Sequence, residues 1–237
     1  MSKDLLLEIG TEEVPAHVMP HLLDDLKRLA GDMFAERRLA YESLRTLGTP
    51  RRTALLVTGL AERQEDVSTE TRGPSVAIAF DAEGNPTKAG AGFARGQGID
   101  PSALIQRDGY VYASVHEKGA ETAALLTELL PELIRTLPLP NSMRWGDLDF
   151  RFIRPIRWIV ALYGTEVVPF TLANVTSGNT SRGHRTLAPQ EFVIAAPADY
   201  EEACEKAYII VDPERRRAMI CAQISETAKA CGGTAEI

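Results

Sequence analysis

Arginine carries most of the chemical information in this chain. Between Met143 and Arg185 lie Arg144, Arg151, Arg154, Arg157, Arg182 and Arg185, set among two apolar runs and joined by His184 in the turn TSRGHR. A guanidinium stays charged and is seldom fully buried without a partner, so each of these side chains requires an anion or water. Its planar fork suits phosphate, which it can hold through two oxygens at once, and such contacts position an RNA without reading its bases. Arg51 and Arg52 form a further pair at the mouth of the Gly48-Thr49-Pro50 turn, where the plainest reading is a hydrated strand end. Arg215 to Arg217 read as a solvated helix face. Arg151, Arg154 and Arg157 share a face if helical. The even separation of Arg151 and Arg157 also aligns them in an unbroken strand, but Pro155 interrupts it and leaves either arrangement open.

Other chemistries are poorly served. The formal net charge of −7 over 237 residues gives no general attraction to nucleic acid, so any RNA contact must be local. Nucleophilic catalysis needs a nucleophile beside an oriented base, and there is no GxSxG elbow. His17, His21, His116 and His184 are scattered; His17 and His21, four apart, lack a third ligand and read as surface or cap residues. His184, between Gly183 and Arg185, suits an anion-binding or structural role better than acid-base work. Cys204, Cys221 and Cys231 are odd in number and without CxxC spacing, which points to reduced thiols packing mostly on helices. The glycines of KAGAGFARGQGID have no GxxxxGK[ST] spacing and no suitable preceding strand, so they are not read as a phosphate loop. No apolar run approaches the ~20 residues of a membrane span. Asp4 and Glu8 interrupt the place where a secretory signal would carry its apolar stretch, so a cytoplasmic protein is expected.

The elements that must position these residues alternate along the chain. Leu5 to Ile9 reads as a buried strand ending at Gly10. Thr11, Glu12, Glu13 and Pro15 read as a helix start, and Val18, Leu22, Leu26, Leu29 and Met33 recur at helical spacing, giving a helix to about Arg38. Strands over Ser43 to Leu47 and Thr53 to Leu60 follow. Residues 64–119 turn glycine-rich and read as an inserted lobe, with a short helix over Thr87 to Gln97 that presents Phe93 to a core and a strand from Tyr110 to His116. The main body is then residues 1–63 and 120–237. Thr122 to Leu137 is helical, with Pro131 expected to kink or divide it. Ile156 to Tyr163 and Val167 to Leu172, joined by Gly164, Thr165 and Glu166, read as a hairpin at the centre of the second half. Asp212 caps a last helix with Pro213 at its first position, Ile220, Ile224 and Ala228 on one face, and Gly232 and Gly233 as its stop. The chain ends soon after, as a truncated piece of a longer protein would. The fold class expected is α/β in the mixed α+β sense, with largely antiparallel or mixed sheets and packed amphipathic helices.

LLLEIGTEEVP (Leu5 to Pro15), TPRRTALLV (Thr49 to Val57), TRGPS (Thr71 to Ser75), KAGAGFARGQGI (Lys88 to Ile99), MRWG (Met143 to Gly146), FIRPIRWIVALYG (Phe152 to Gly164) and TSRGHR (Thr180 to Arg185) resemble, in the same order, the start of the bacterial glycyl-tRNA synthetase β subunit family. The resemblance covers about the first third of that subunit and leaves out its phosphohydrolase-like and C-terminal anticodon-binding domains. It implies an α2β2 glycine–tRNA ligase in which the α subunit binds glycine, ATP and Mg, while the β subunit serves as an RNA-binding partner. On that resemblance this segment has no cofactor and no aminoacylation site, and its partners are the α subunit and tRNA(Gly), with no membrane or DNA. The candidate RNA contacts are Arg51, Arg52, Arg144, Arg151, Arg154, Arg157, Arg182, His184 and Arg185. Two other roles stand beside this one. The family has regions similar to the editing domain of phenylalanyl-tRNA synthetase, which would make the Arg182 to Arg185 turn part of a hydrolytic or amino-acid-binding pocket, although glycine is small enough for a tight site to exclude its competitors. The other is a purely structural assembly domain.

Overall fold

Leu5, Leu6, Leu7 and Ile9 make a strand that is apolar on both faces, and such a strand needs cover on both. In the computed structural model, which describes residues 2–81 and 83–237, it is β1 (Ser2–Thr11), followed by α1 (Met19–Glu36), β2 (Ser43–Thr49) and β3 (Arg52–Ala61). Then come β4 (Val67–Ser75), α2 (Val76–Ala79), α3 (Lys88–Gly96), β5 (Ile105–Arg107) and β6 (Tyr110–Glu117). The chain continues through α4 (Thr122–Thr136), β7 (Ile156–Tyr163), β8 (Glu166–Val167), β9 (Thr171–Leu172), β10 (Val175–Gly178), β11 (Thr180–Arg182), β12 (Glu191–Val193), α5 (Tyr200–Lys206) and α6 (Pro213–Ala230). Helices and antiparallel or mixed sheets thus make up a mixed α/β protein. Among the described residues no helix is long and apolar enough to cross a membrane.

Contacts divide the chain into two compact units, Met1–Arg63 with Glu121–Ile237, and Gln64–Ala120. In the second unit β4, β6 and β5 form an antiparallel sheet over a small core of Ala79, Ala94, Leu104, Val111 and Ala113, with Phe93 packed against it. One of its glycines has a steric reason, since a Cβ on Gly90 would collide with the Ala79 carbonyl where α3 crosses α2.

The first unit is built on a sheet in the order β2-β3-β1-β7-β10-β9, with β8 paired to β7. β1 lies antiparallel between β3 and β7, and among the described residues only the β7–β10 pairing is parallel. Leu5, Leu7 and Ile9 face one side with Leu55, Val57, Ile159 and Ala161, and meet Leu22, Leu26 and Phe34 of α1 and Leu126, Leu129 and Leu133 of α4. Each fully buried leucine there contributes roughly 1.5–3 kcal/mol of burial. Leu6 faces the other side with Ala54, Val160 and Leu162, beneath Tyr200 and Cys204 of α5.

Several sequence expectations are corrected. The helix does not start at Thr11 to Pro15: Thr11 ends β1, α1 begins at Met19 with Pro20 in its first turn, and Glu12 and Glu13 bind arginines. Pro131 lies inside α4 without dividing it, buried against the core that holds the helix on both sides of it. The hairpin after Tyr163 turns at Gly164 (φ 61°), but its return arm pairs for only two residues before β9 joins β10. On α6, Asp212 caps as expected, and Ile220 and Ile224, which share a face with Ala228 as expected, are 50% and 41% exposed. Only Cys204 is buried; Cys221 is half-buried and Cys231 exposed.

Glu8 also points to the second face, and the burial there is complete. It is 0% exposed, and its ion-pair partner on β3, Arg52, which lies opposite Gly10 and so on the same face, is 3% exposed. A charge removed from water must be paired and hydrogen-bonded, and this carboxylate is. Oε1 accepts from Trp158 Nε1 and from Ser181 Oγ at 2.5 Å; Oε2 accepts from Tyr200 Oη at 2.5 Å and from Arg52 Nη1 at 3.5 Å. Arg52 continues outward, donating through Nη2 to the Arg182 carbonyl at 2.5 Å. Trp158 reaches Glu8 only by lying across Gly10, where any Cβ would fall inside the indole ring. Burial, then Glu8, pushes the Tyr200 phenol well above its ordinary value and the Cys204 thiol up to about 12. Burial pulls the Arg52 guanidinium down, but Glu8, followed by Tyr200 and Cys204, raises it overall.

Two outcomes follow from this hub. Glu8→Gln leaves a buried guanidinium uncompensated and should cost about 3–5 kcal/mol in urea unfolding; a loss below about 1 kcal/mol would show that the pair does not hold the fold. Because the thiol of Cys204 is raised from 9.0 to about 12 by folding, its contribution is complete below pH 9 and disappears as pH rises towards 12. The urea midpoint should therefore fall between pH 8 and about 10.5 by more in the parent chain than in Cys204→Ala. Equal falls in the two chains would contradict the assignment.

Candidate anion-binding cleft

Five separated stretches of the first unit converge beside the Glu8 hub. The β2–β3 turn comes first: Thr49 pairs with Arg52, and Thr49 Oγ1 accepts the Arg51 amide at 3.4 Å. Strand alternation then turns Arg52 inward with Ala54, while Arg51 stays at the rim, half-buried. The segment after β1 forms a second wall, tied by the Thr11 amide to the Arg51 carbonyl (2.9 Å), the Glu12 amide to the Pro155 carbonyl (3.1 Å) and the Val14 amide to the Pro50 carbonyl (2.6 Å). The Gly183 to Thr186 turn is tethered by the His184 amide to the Ala207 carbonyl at 3.0 Å. Tyr208 to Ile210 follows α5, and the next residue, Val211, accepts the Gly48 amide at 2.9 Å. Arg216 reaches in from α6 and donates through Nη1 to the Gly48 and Ile210 carbonyls at 3.0 and 2.6 Å. Together with Arg154 these residues line a cleft of about 750 Å³.

The electrostatics of the cleft are those of an anion site with acids at its margin. Arg51 Nε at the rim is buried and, like Nε of the inward-turned Arg52, has no hydrogen-bond partner among the described residues. Burial, then the Arg185 charge, lowers the Arg51 guanidinium from its ordinary value; Glu12 and Glu13 oppose the shift and Arg52 adds to it. Arg154 donates to the Ile153 carbonyl at 2.7 Å. Arg185 lies 3.0 Å from Glu13 and 3.9 Å from Glu12, and Arg157 Nε donates to Glu12 at 2.6 Å. That Arg157 hydrogen bond, against burial, holds the Glu12 carboxyl below its usual range. The guanidiniums of Arg182, Arg52 and Arg51 stand 5.3, 5.5 and 5.9 Å from the Trp158 ring centroid, within reach of cation–π attraction. Burial also lowers the Arg216 guanidinium.

Of the residues singled out in the sequence, Arg51, Arg52, Arg154, His184 and Arg185 meet in this cleft. Arg157 and Arg182 stand next to it, through Glu12 and Trp158. Arg144 and Arg151 do not line it; they bond to Asp149 at 3.3 Å and to the Ser142 carbonyl at 2.6 Å. Arg151 and Arg154 lie before β7 in neither a helix nor a strand, so neither regular alignment of the three holds, and Arg157 is the extra residue of a bulge, since Gly10 faces Trp158 and Thr11 faces Ile156. Arg52 is not at a hydrated strand end, because Glu8 draws it into the core. Of Arg215 to Arg217, Arg216 departs from the solvated-face reading, and Arg215 pairs with Glu205 at 2.7 Å. His184 Nδ1 accepts the Thr186 and Leu187 amides at 3.2 and 3.1 Å, which is a structural role and, in the neutral ring, assigns the proton to Nε2. Sequence reading missed Glu8, Ser181, Tyr200 and Arg216. The one signal for Glu8 was an acid inside a strand apolar on both faces. Among the described residues no group of three or more His, Cys, Asp or Glu side chains is placed to hold a metal ion.

Residues 5–237 match the family model described as the glycyl-tRNA synthetase beta subunit. The chain is 50% identical over 240 residues to the glycine–tRNA ligase beta subunit of Desulfitobacterium hafniense (strain DSM 10664 / DCB-2), covering all of this chain and 35% of that protein. It is 48% identical over 235 residues to the corresponding subunit of Geobacter metallireducens and 47% identical over 237 residues to that of Syntrophotalea carbinolica, with 98% of this chain and 34% of each relative covered. The chain thus spans about a third of the length of these curated relatives. A match that runs over nearly every residue, through the strand bearing Glu8 and every wall of the cleft, shows that the chain belongs to the glycyl-tRNA synthetase β-subunit family.

Proposed function

We propose that the protein of which this chain is a part acts as the β subunit of a cytoplasmic α2β2 glycine–tRNA ligase, supporting ATP-dependent attachment of glycine to tRNA(Gly), with ATP and Mg bound by the α subunit. This segment contributes tRNA binding through the arginine cleft and takes part in subunit assembly. The observation that carries the first role is Arg51, whose buried Nε lacks a partner and whose charge is disfavoured by burial and by Arg185. A phosphate entering the cleft supplies the missing acceptor and the missing negative charge together. Arg154 and Arg185 stand in the same cleft, and Glu13 occupies Arg185 until a stronger anion replaces it. Assembly is supported by α6, whose Ile220 and Ile224 stripe is exposed and on which no residue is buried.

A titration of glycine tRNA against the chain at several salt concentrations tests the RNA role. Arg51→Gln with Arg154→Gln should weaken binding and reduce the slope of log K against log salt by about 1, for the one phosphate no longer neutralised. Glu13→Gln should strengthen binding. Unchanged affinity in a folded double variant would remove the cleft from the RNA surface. For assembly, Ile220→Asp with Ile224→Asp in the full-length β subunit should abolish co-purification of the α subunit while circular dichroism stays unchanged; undiminished co-purification would exclude α6 from that interface.

A further inference from the structure

The cleft contains more than a ring of charge. Val14 and Ile209 are buried in its floor, and Pro15, Pro50 and Ile210 also line it. Beside them Tyr208 is 63% exposed, with a backbone φ of 60°. That backbone closes α5: the Ile209 amide donates to the Cys204 carbonyl and the Tyr208 amide to the Glu205 carbonyl, both at 2.9 Å. This is the Schellman arrangement, in which the left-handed position after the helix favours glycine because a Cβ is strained there. A tyrosine at that position runs against local preference. Its ring gains little from burial in return, and such departures gather at functional sites.

Phosphate alone has no use for an apolar floor and an exposed ring, whereas a nucleobase has. We propose that the cleft binds one unpaired, phosphate-bearing nucleotide, its base against Tyr208 and the apolar floor and its phosphate on Arg51 and Arg154. This deepens, and rests on, the anion-binding reading above. A duplex cannot fill such a site, because A-form RNA keeps its bases stacked inside and offers its phosphates on a convex surface. An unpaired base can stack on an aromatic ring whatever its sequence. The cleft volume of about 750 Å³ is of the size that encloses a small ligand. The unpaired nucleotide belongs either to an RNA strand or to a free nucleoside phosphate, and the two share this chemistry.

The test measures binding of a five-nucleotide unpaired RNA, a blunt RNA duplex and AMP to the parent chain, Tyr208→Gly and Arg51→Gln. Tyr208→Gly suits the purpose because glycine is favoured at its backbone position, so the melting temperature should hold or rise. The unpaired RNA should bind more tightly than the duplex, and Tyr208→Gly should weaken it about tenfold or more without changing duplex binding. Competition by AMP at equal concentration would assign the site to free nucleotide, and its failure would assign the site to RNA; the inference holds in both cases. If Tyr208→Gly binds unpaired RNA as the parent does while Arg51→Gln weakens both RNA forms, the inference fails and the phosphate-binding reading survives. If none of the three probes binds the parent chain, both fail.

Discussion

The Glu8 carboxylate is the constraint around which the second face of the sheet is arranged. It sits at the middle of the central strand, where water cannot reach, and it is satisfied only because donors arrive from β3, β7, β11 and α5. Each of those elements is fixed in register and rotation by the requirement, since a donor left unmade in such a site costs its full desolvation. The bare backbone at Gly10 belongs to the same requirement, as it is the path by which the indole reaches the acid. Arg52 carries the constraint outward. With one nitrogen on Glu8 and another on the Arg182 carbonyl, it holds the turn that forms one wall of the cleft. Arg52 is therefore a positioning residue. Its two terminal nitrogens are spent on protein acceptors while its Nε has no partner among the described residues, and its charge adds to the cleft's potential without its fork being offered to a ligand.

Burial also separates the other arginines. Burial decides which ion pairs can open: the side chains of Arg52 and Glu8 are 3% and 0% exposed, those of Arg185 and Glu13 59% and 60%. An exposed pair is worth about 0–1 kcal/mol and exchanges readily for another anion, whereas a buried pair is broken only at a cost of several kcal/mol. The acids following β1 thus act as removable counter-ions for Arg157 and Arg185. Arg51 has no such partner at its buried nitrogen. The cleft is graded accordingly, from a fixed inner charge through an unsatisfied rim to an outer pair that can trade partners.

Much of this architecture was legible from residue patterns, and the limits have physical reasons. β2, β3, β7, α3 and α6 read correctly because periodicity, turn residues and caps are local signals. The start of α1 did not, because an acidic, proline-marked stretch is equally suited to a loop whose carboxylates bind arginines distant in sequence. Arg51, Arg52, Arg154, His184 and Arg185 were singled out by type, but their meeting depends on pairings across more than a hundred residues. Tyr200 and Ser181 carry no local signal of burial. Only the position of Glu8 beneath them turns them into core donors. Arg216 was hidden in a run of three charges, of which geometry alone selects the one that bends back to Gly48.

The chain's overall acidity bears on how such a cleft would choose its ligand. At physiological ionic strength charges are screened beyond about 8 Å, so a surface contact feels its immediate neighbours far more than the net charge. With a formal charge of −7, the protein as a whole does not attract a polyanion, and attraction is confined to places where guanidiniums outnumber acids. A basic protein binds RNA anywhere and must then find its register; an acidic one with a local cleft binds weakly or not at all outside the correct geometry. Fewer phosphate contacts also mean that each accounts for a larger share of the affinity. On the proposed reading, the acids at the margin therefore contribute to selectivity beside the arginines within, because an anion that also engages Arg185 must first displace the Glu13 carboxylate.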